Sequence, residues 1–140
     1  MNILLAEDQP DLAFLLTNIL SSCRVVWKED GEKALAEFQE CRELDTGQAY
    51  DYIVSDNDMP VMDGVRFARE VRTLNQKIPI ILWTGGPFPL EYGLFTDLVY
   101  KDDLDYWTDS KFYSLGLRQG ECALTSSIPA EFQQLKEAYD

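Results

Sequence analysis

Four short apolar runs in this 140-residue chain each end in a side chain that can do chemistry. Ile3–Ala6 runs into Glu7-Asp8. Tyr52–Ser55 runs into Asp56, with Asp58 two residues on. Ile78–Trp83 runs into Thr84, and Leu98–Tyr100 into Lys101. If these runs are neighbouring strands of one parallel sheet, their ends share the edge where such sheets bind ligands. Two carboxylates ~4 Å apart repel by ~1 kcal/mol in water and by ~4 kcal/mol at an effective dielectric of ~20. A group of three or four therefore calls for a cation. Oxygen donors with no histidine and no clustered cysteine favour Mg²⁺ over Zn²⁺. Lys101 supplies a second positive charge and Thr84 a hydroxyl. That set suits phosphoryl transfer to a carboxylate, which can act as a nucleophile. Such a transfer needs in-line positioning and charge stabilisation more than covalent help.

The elements between these residues alternate. Asp11–Leu20 carries Leu12, Leu15, Leu16 and Ile19 at helical spacing, with Pro10 near its first turn. Arg24–Lys28 is β-branched and aromatic, an edge-strand candidate, and Asp30-Gly31 is a turn. Glu32–Glu43 places Leu35, Phe38 and Cys41 on one helical face, and Gly64–Leu74 does the same with Val65, Ala68, Val71 and Leu74. Pro79 is tolerated at the beginning of the fourth strand. A helix is expected over roughly Leu104–Leu117, and another from about Pro129 with Ile128, Phe132, Leu135 and Tyr139 as its stripe. Alternating strands and helices, with strands apolar on both faces, predict an α/β fold around a parallel sheet.

Composition narrows the functions further. The chain has 25 Asp+Glu against 12 Lys+Arg, a formal net charge of −13, and no histidine. Histidine-dependent catalysis and histidine metal ligands are excluded, and so is a phosphohistidine of its own. The basic residues are scattered, which argues against a nucleic-acid face. Three cysteines without a CxxC pair suggest reduced thiols. No signal peptide or span of ~20 apolar residues is visible, so a cytoplasmic protein without a membrane segment is expected.

The chain resembles the response-regulator receiver domains of two-component signalling. The resemblance lies in LLAED, in DYIVSDNDMPVMDG, in IPIILWTGG and in LVYKD, and it covers roughly residues 1–117. It implies a flavodoxin-like doubly wound sheet of five strands in the order 2-1-3-4-5. It implies a phosphorylation-dependent switch that takes a phosphoryl group on Asp56 from a partner histidine kinase or phosphotransfer protein. Mg²⁺ would be held by the carboxylates of Asp8 and Asp56, by the backbone carbonyl of Asp58, and by Glu7 through water. Thr84 would hydrogen-bond the phosphoryl group and Lys101 would pair with it. Pro60 and Gly64 would shape the following loop, Gly64 as a residue free to adopt φ > 0.

Several positions depart from that family. Asp102 follows Lys101 where the family has a proline after a cis bond. A non-proline cis bond costs ~3–4 kcal/mol, so trans is expected and the lysine's reach is in question. Leu98 occupies the place of the family's switch aromatic, with Tyr100 on the same strand face. Pro87, Pro89, Gly86 and Gly93 leave little room for a fourth helix, which is expected to be shortened or absent. Nine aromatic residues between Trp83 and Tyr113 either fill that volume or form a face for a protein effector. Residues 118–140 form an extension, and no output domain follows within the chain, so a stand-alone receiver is expected. Two other readings remain open here. One is a pseudo-receiver that binds without switching. The other is a haloacid-dehalogenase-like phosphatase, with Asp56 as nucleophile, Asp58 as general acid, and Lys101 and Asp102-Asp103 completing the site.

Overall fold

Parallel strands need neighbours on both sides and cover on both faces, and the short apolar runs obtain both. The computed structural model describes residues 1–44, 50–85, 94–108 and Phe112. Its elements are β1 (Asn2–Ala6), α1 (Pro10–Ile19), β2 (Arg24–Lys28), α2 (Gly31–Leu44), β3 (Tyr52–Ser55), α3 (Gly64–Leu74), β4 (Ile80–Thr84) and β5 (Asp97–Tyr100), then a 3₁₀ turn, Leu104–Thr108. The five strands form one parallel sheet in the order β2-β1-β3-β4-β5, as the sequence led us to expect. Every residue of the inner strands β3 and β4 is buried, whereas β2 lies at an edge and is only half-buried.

Strand alternation sends side chains to two separate cores. Ile3, Leu5, Tyr52, Val54, Ile81 and Trp83 meet α1 together with Tyr106, Trp107 and Phe112. On the opposite face, Leu4, Ala6, Ile53 and Ile80 meet α2 and α3 through Leu35, Phe38, Phe67, Ala68 and Val71. Carboxylates start the two helices of that second layer. The Asp30 side chain accepts the Lys33 amide at 2.8 Å, and Asp63 accepts the Arg66 amide at 2.8 Å. An acidic N-cap satisfies an amide that the helix leaves unpaired.

Most boundaries fall within one residue of expectation, and two differ by more. The fourth strand begins at Ile80 rather than Ile78 and extends through Thr84. Asn75 and Pro79 set this start. The Asn75 side chain accepts the amides of Lys77 and Ile78, and Pro79 has no N–H to offer a ladder, only a carbonyl that takes the Ile53 amide at 2.9 Å. Arg72 of α3 reinforces the turn by donating to the carbonyls of Ile78 at 2.7 Å and Leu94 at 3.0 Å. The chain after Lys101 opens with a 3₁₀ turn rather than directly with an α-helix. The fourth-helix expectation falls largely on residues 86–93, and the C-terminal extension on residues 118–140. Both lie outside the described residues.

The connection from β3 to α3 is tightly folded. The Gly64 amide donates to the Asn57 carbonyl at 3.0 Å, and a Cβ on Gly64 would lie 2.2 Å from the Asp56 carbonyl oxygen. Close approach to the Asp56 backbone, rather than the positive φ suggested by the sequence, is what requires glycine here. Gly31 meets the same loop, donating its amide to the Met62 carbonyl at 3.2 Å. The positive φ falls instead on Val61, at 69°, a branched residue 69% exposed. Left-handed backbone costs a non-glycine residue about 1–2 kcal/mol. Val61→Asn is therefore expected to raise unfolding stability by about 1 kcal/mol. Gly64→Ala should lower it by about 3 kcal/mol, at the upper end of overpacking costs. Urea denaturation of the two variants checks both signs; a neutral Gly64→Ala would contradict the packing described.

Candidate functional site

The register of the sheet brings the expected residues to one edge. Ala6 is level with both Lys28 and Ser55, and Thr84 with Tyr100. The residues after the strand ends therefore emerge on one edge, Glu7 beside Asp56 and Lys101 across β4 from them. Each is still tied to the neighbouring strand by its main chain. The Glu7 amide donates to Lys28 at 3.0 Å, the Asp56 amide to Ala6 at 2.9 Å, and the Lys101 amide to Thr84 at 2.8 Å. These bonds leave each side chain little freedom in where it starts.

The carboxylates of Glu7, Asp8 and Asp56 come within 4.8 Å of one another. Glu7 is fully buried and Asp56 is 5% exposed. Lys101 stands between these two, its Nζ 3.1 Å from Glu7 Oε2 and 3.3 Å from Asp56 Oδ2. The trans backbone at Lys101 leaves its side chain able to reach both. The other Asp56 oxygen, Oδ1, accepts the Asn57 amide at 2.8 Å. Glu7 Oε1 accepts the Gln9 amide at 3.2 Å. Thr84 is buried at the end of β4 on the same edge. The Asp58 side chain is exposed and stands outside the carboxylate cluster.

Three close carboxylates and one ammonium are poorly balanced. The Glu7 pKa is raised from its ordinary 4.5 to about 7, first by burial and then by the Asp56 charge, with Lys101 pulling against both. Asp56 is also raised, chiefly by burial, against the pull of Lys101. Asp8 Oδ1 and Glu7 Oε2 are buried without a hydrogen bond among the described residues, although Oε2 keeps its ion pair. Buried oxygen acceptors with unused capacity, drawn from three carboxylates, fit a hard divalent cation such as Mg²⁺.

Some contributors had no local signal in the sequence. The Trp27 indole N–H, from edge strand β2, donates to the Glu7 carbonyl at 2.7 Å. Trp83 places its ring 5.4 Å from Lys101 Nζ. Gly31 braces the loop that carries Asp58. Among the described residues, the aromatics of this stretch are mostly core: Trp83, Tyr106, Trp107 and Phe112 are buried and Phe95 partly so. Tyr100 is 45% exposed, and Phe88, Tyr92 and Tyr113 lie outside the described residues. The effector-face expectation thus keeps only Tyr100 among the described aromatics.

Residues 3–87 match the response regulator receiver domain family. The chain belongs to that family. Family membership displaces the phosphatase alternative. The receiver is 34% identical over 88 residues to the autoinducer 2 sensor kinase/phosphatase LuxQ of Vibrio vulnificus, covering 61% of this chain and 10% of that protein. It is 33% identical over 92 residues to the C4-dicarboxylate transport transcriptional regulatory protein DctD of Pseudomonas aeruginosa, covering 63% of this chain and 18% of that protein. The chain thus spans less than a fifth of those relatives. Among solved structures, response regulator TrrA of Thermotoga maritima, in complex with Mg²⁺ and BeF, is similar at a TM-score of 0.69 and 27% identity, covering 81% of this chain and 97% of that one. TrrA in complex with histidine kinase ThkA is similar at 0.64, with the same identity and coverage. Among the described residues, no helix is long and apolar enough to cross a membrane.

The raised Glu7 pKa has a consequence for the metal-free receiver. Between about pH 4.5 and pH 7 the folded chain keeps a proton on Glu7 that the unfolded chain has lost. Stability from this group is therefore full below that window and falls as pH rises through it. Thermal unfolding in a chelator at pH 5 and pH 7.5 should show a steeper fall for the wild type than for Glu7→Gln. Added Mg²⁺ should offset the wild-type loss. Identical pH profiles for the two proteins would refute the assignment.

Proposed function

We propose that this receiver is a phosphorylation-operated signalling switch with Asp56 as the phosphoacceptor. One observation carries the reading: Asp56 is a nearly buried carboxylate at the end of β3, grouped with Glu7 and Asp8 and 3.3 Å from the Lys101 ammonium. A carboxylate oxygen of Asp56 attacks the phosphorus of a phosphohistidine. The P–N bond breaks, and the imidazole leaves carrying the bonding pair. An acyl phosphate remains on Asp56. These 140 residues hold no histidine, so a phosphohistidine donor lies outside them, on a histidine kinase or phosphotransfer protein. The TrrA–ThkA complex supports a kinase as the partner class.

The carboxylates of Asp8 and Asp56 and the Asp58 carbonyl would hold Mg²⁺, with Glu7 acting through a bound water. When bound, the ion supplies charge neutralisation and alignment at the phosphoryl oxygens. The Mg²⁺–BeF complex of TrrA supports that choice of ion. Lys101 shifts from its two carboxylates toward the incoming phosphoryl group and neutralises it from the other side. The Thr84 hydroxyl donates to a phosphoryl oxygen. Gly85 leaves the entrance clear, since a Cβ built there meets nothing within 4 Å.

Phosphoramidate with Mg²⁺ should add one phosphoryl group per chain by intact mass, and Asp56→Asn should remove that addition. Beryllofluoride with Mg²⁺ should titrate the wild-type tryptophan fluorescence to saturation at one equivalent and leave Asp56→Asn unchanged. A flat titration with no mass addition would overturn the switch and favour a receiver that only binds.

A further inference from the structure

We propose that Trp83 is a positioning residue for Lys101, its indole face holding the ammonium at the phosphoacceptor edge. The inference rests on Lys101 serving the phosphoryl site as proposed above.

The first observation is the contact itself. Lys101 Nζ lies 5.4 Å from the centre of the Trp83 ring, within the ~6 Å range of a cation–π attraction. Lys101 and Trp83 come from adjacent strands. The register pairs Thr84 with Tyr100, and Trp83 and Lys101 flank that pair. The same ammonium is 3.1 Å from Glu7 and 3.3 Å from Asp56. It is thus bounded by two carboxylates and one aromatic face.

The second observation is what the ring gives up. Trp83 is fully buried, yet its indole N–H has no acceptor among the described residues. A buried donor left unpaired costs about 1–3 kcal/mol. Phenylalanine or leucine would fill an apolar site without that cost. What the indole offers beyond bulk is its π face, the most attractive to a cation among the aromatic side chains.

The third observation is that the ring is held. Trp107 meets Trp83 edge-on, with centroids 6.2 Å apart and planes at 87°. Trp107 is in turn packed at 5.3 Å by Phe112 and at 5.1 Å by Tyr106. A ring fixed in this way presents one face at one place.

The division of labour follows from charge. Glu7 and Asp56 attract Lys101 but are themselves committed to the metal and the phosphoryl group. When the phosphoryl group arrives, the lysine must turn toward it. An aromatic face holds the ammonium without neutralising it or competing as a hydrogen-bond acceptor. It therefore keeps the cation aimed while its carboxylate partners change theirs.

The test uses Trp83→Phe and Trp83→Leu, each alone and combined with Lys101→Met. In the metal-free wild type, the Lys101 ε-methylene protons should be shifted upfield by the indole ring current. That shift should shrink in Trp83→Phe and vanish in Trp83→Leu. With phosphoramidate and Mg²⁺, Trp83→Leu should slow Asp56 phosphorylation roughly tenfold and Trp83→Phe by less, in line with a desolvated cation–π contact. In the Lys101→Met background neither substitution should slow it further. Should Trp83→Leu fail to fold, Trp83→Phe carries both comparisons. An ordinary ε-methylene shift in the wild type, or an equal slowing with and without Lys101, overturns the proposal. Absence of phosphorylation in the wild type would instead overturn the switch reading, and the ring-current measurement would still decide the contact.

Discussion

The repulsion among Glu7, Asp8 and Asp56 is the constraint around which the receiver is built. Their carboxylates lie within 4.8 Å of one another at the end of a buried sheet, and among the described residues Lys101 is the ammonium in contact with two of them. Water would screen such a group cheaply, but burial does not. The fold must hold the charges together against that force, and it does so by rigid main-chain bonds. Glu7 is tied to Lys28, Asp56 to Ala6 and Lys101 to Thr84, each as an extension of the strand ladder. Burial, and then the neighbouring carboxylates, raise the pKa values of Glu7 and Asp56. The same group of oxygens could hold a metal ion.

The layers around the sheet serve the same end. The loop from Asn57 to Asp63 folds back on the Asp56 backbone so closely that Gly64 has no room for a side chain. Gly31, at the start of α2, catches the loop from the other side. Trp27, from the edge strand, holds the Glu7 carbonyl. On the far side, Trp83 and Trp107 close the core beneath Lys101. Residues from β2, α2, β4 and the 3₁₀ turn thus restrain a site whose charged groups belong to β1, β3 and β5.

Much of this was legible before any coordinates. The five apolar runs, their order of appearance and the polar residues at their ends are local properties, readable from hydrophobic patterning. β2 and β3 begin and end where the sequence placed them, and so does α3. Pro79 misled the start of β4, because a missing N–H moves a strand boundary without interrupting the apolar run. The capping roles of Asp30 and Asp63 were also open to reading, since an acidic residue before a helix is a known signal.

What the sequence by itself determined was the inventory: which residues could do chemistry, and that each stood at a strand end. Burial of strands on both faces writes that information into every short stretch of chain. Only the tertiary structure decided distances and reasons. It set Lys101 against both Glu7 and Asp56, assigned Gly64 to close packing and moved the positive φ to Val61. It also brought the Trp83 face to the lysine and put Trp83, Tyr106, Trp107 and Phe112 into the core. These depend on contacts between residues far apart in the chain, such as Glu7 and Lys101. No local pattern of residue types records how two strand ends align, because register is settled by packing across the whole sheet.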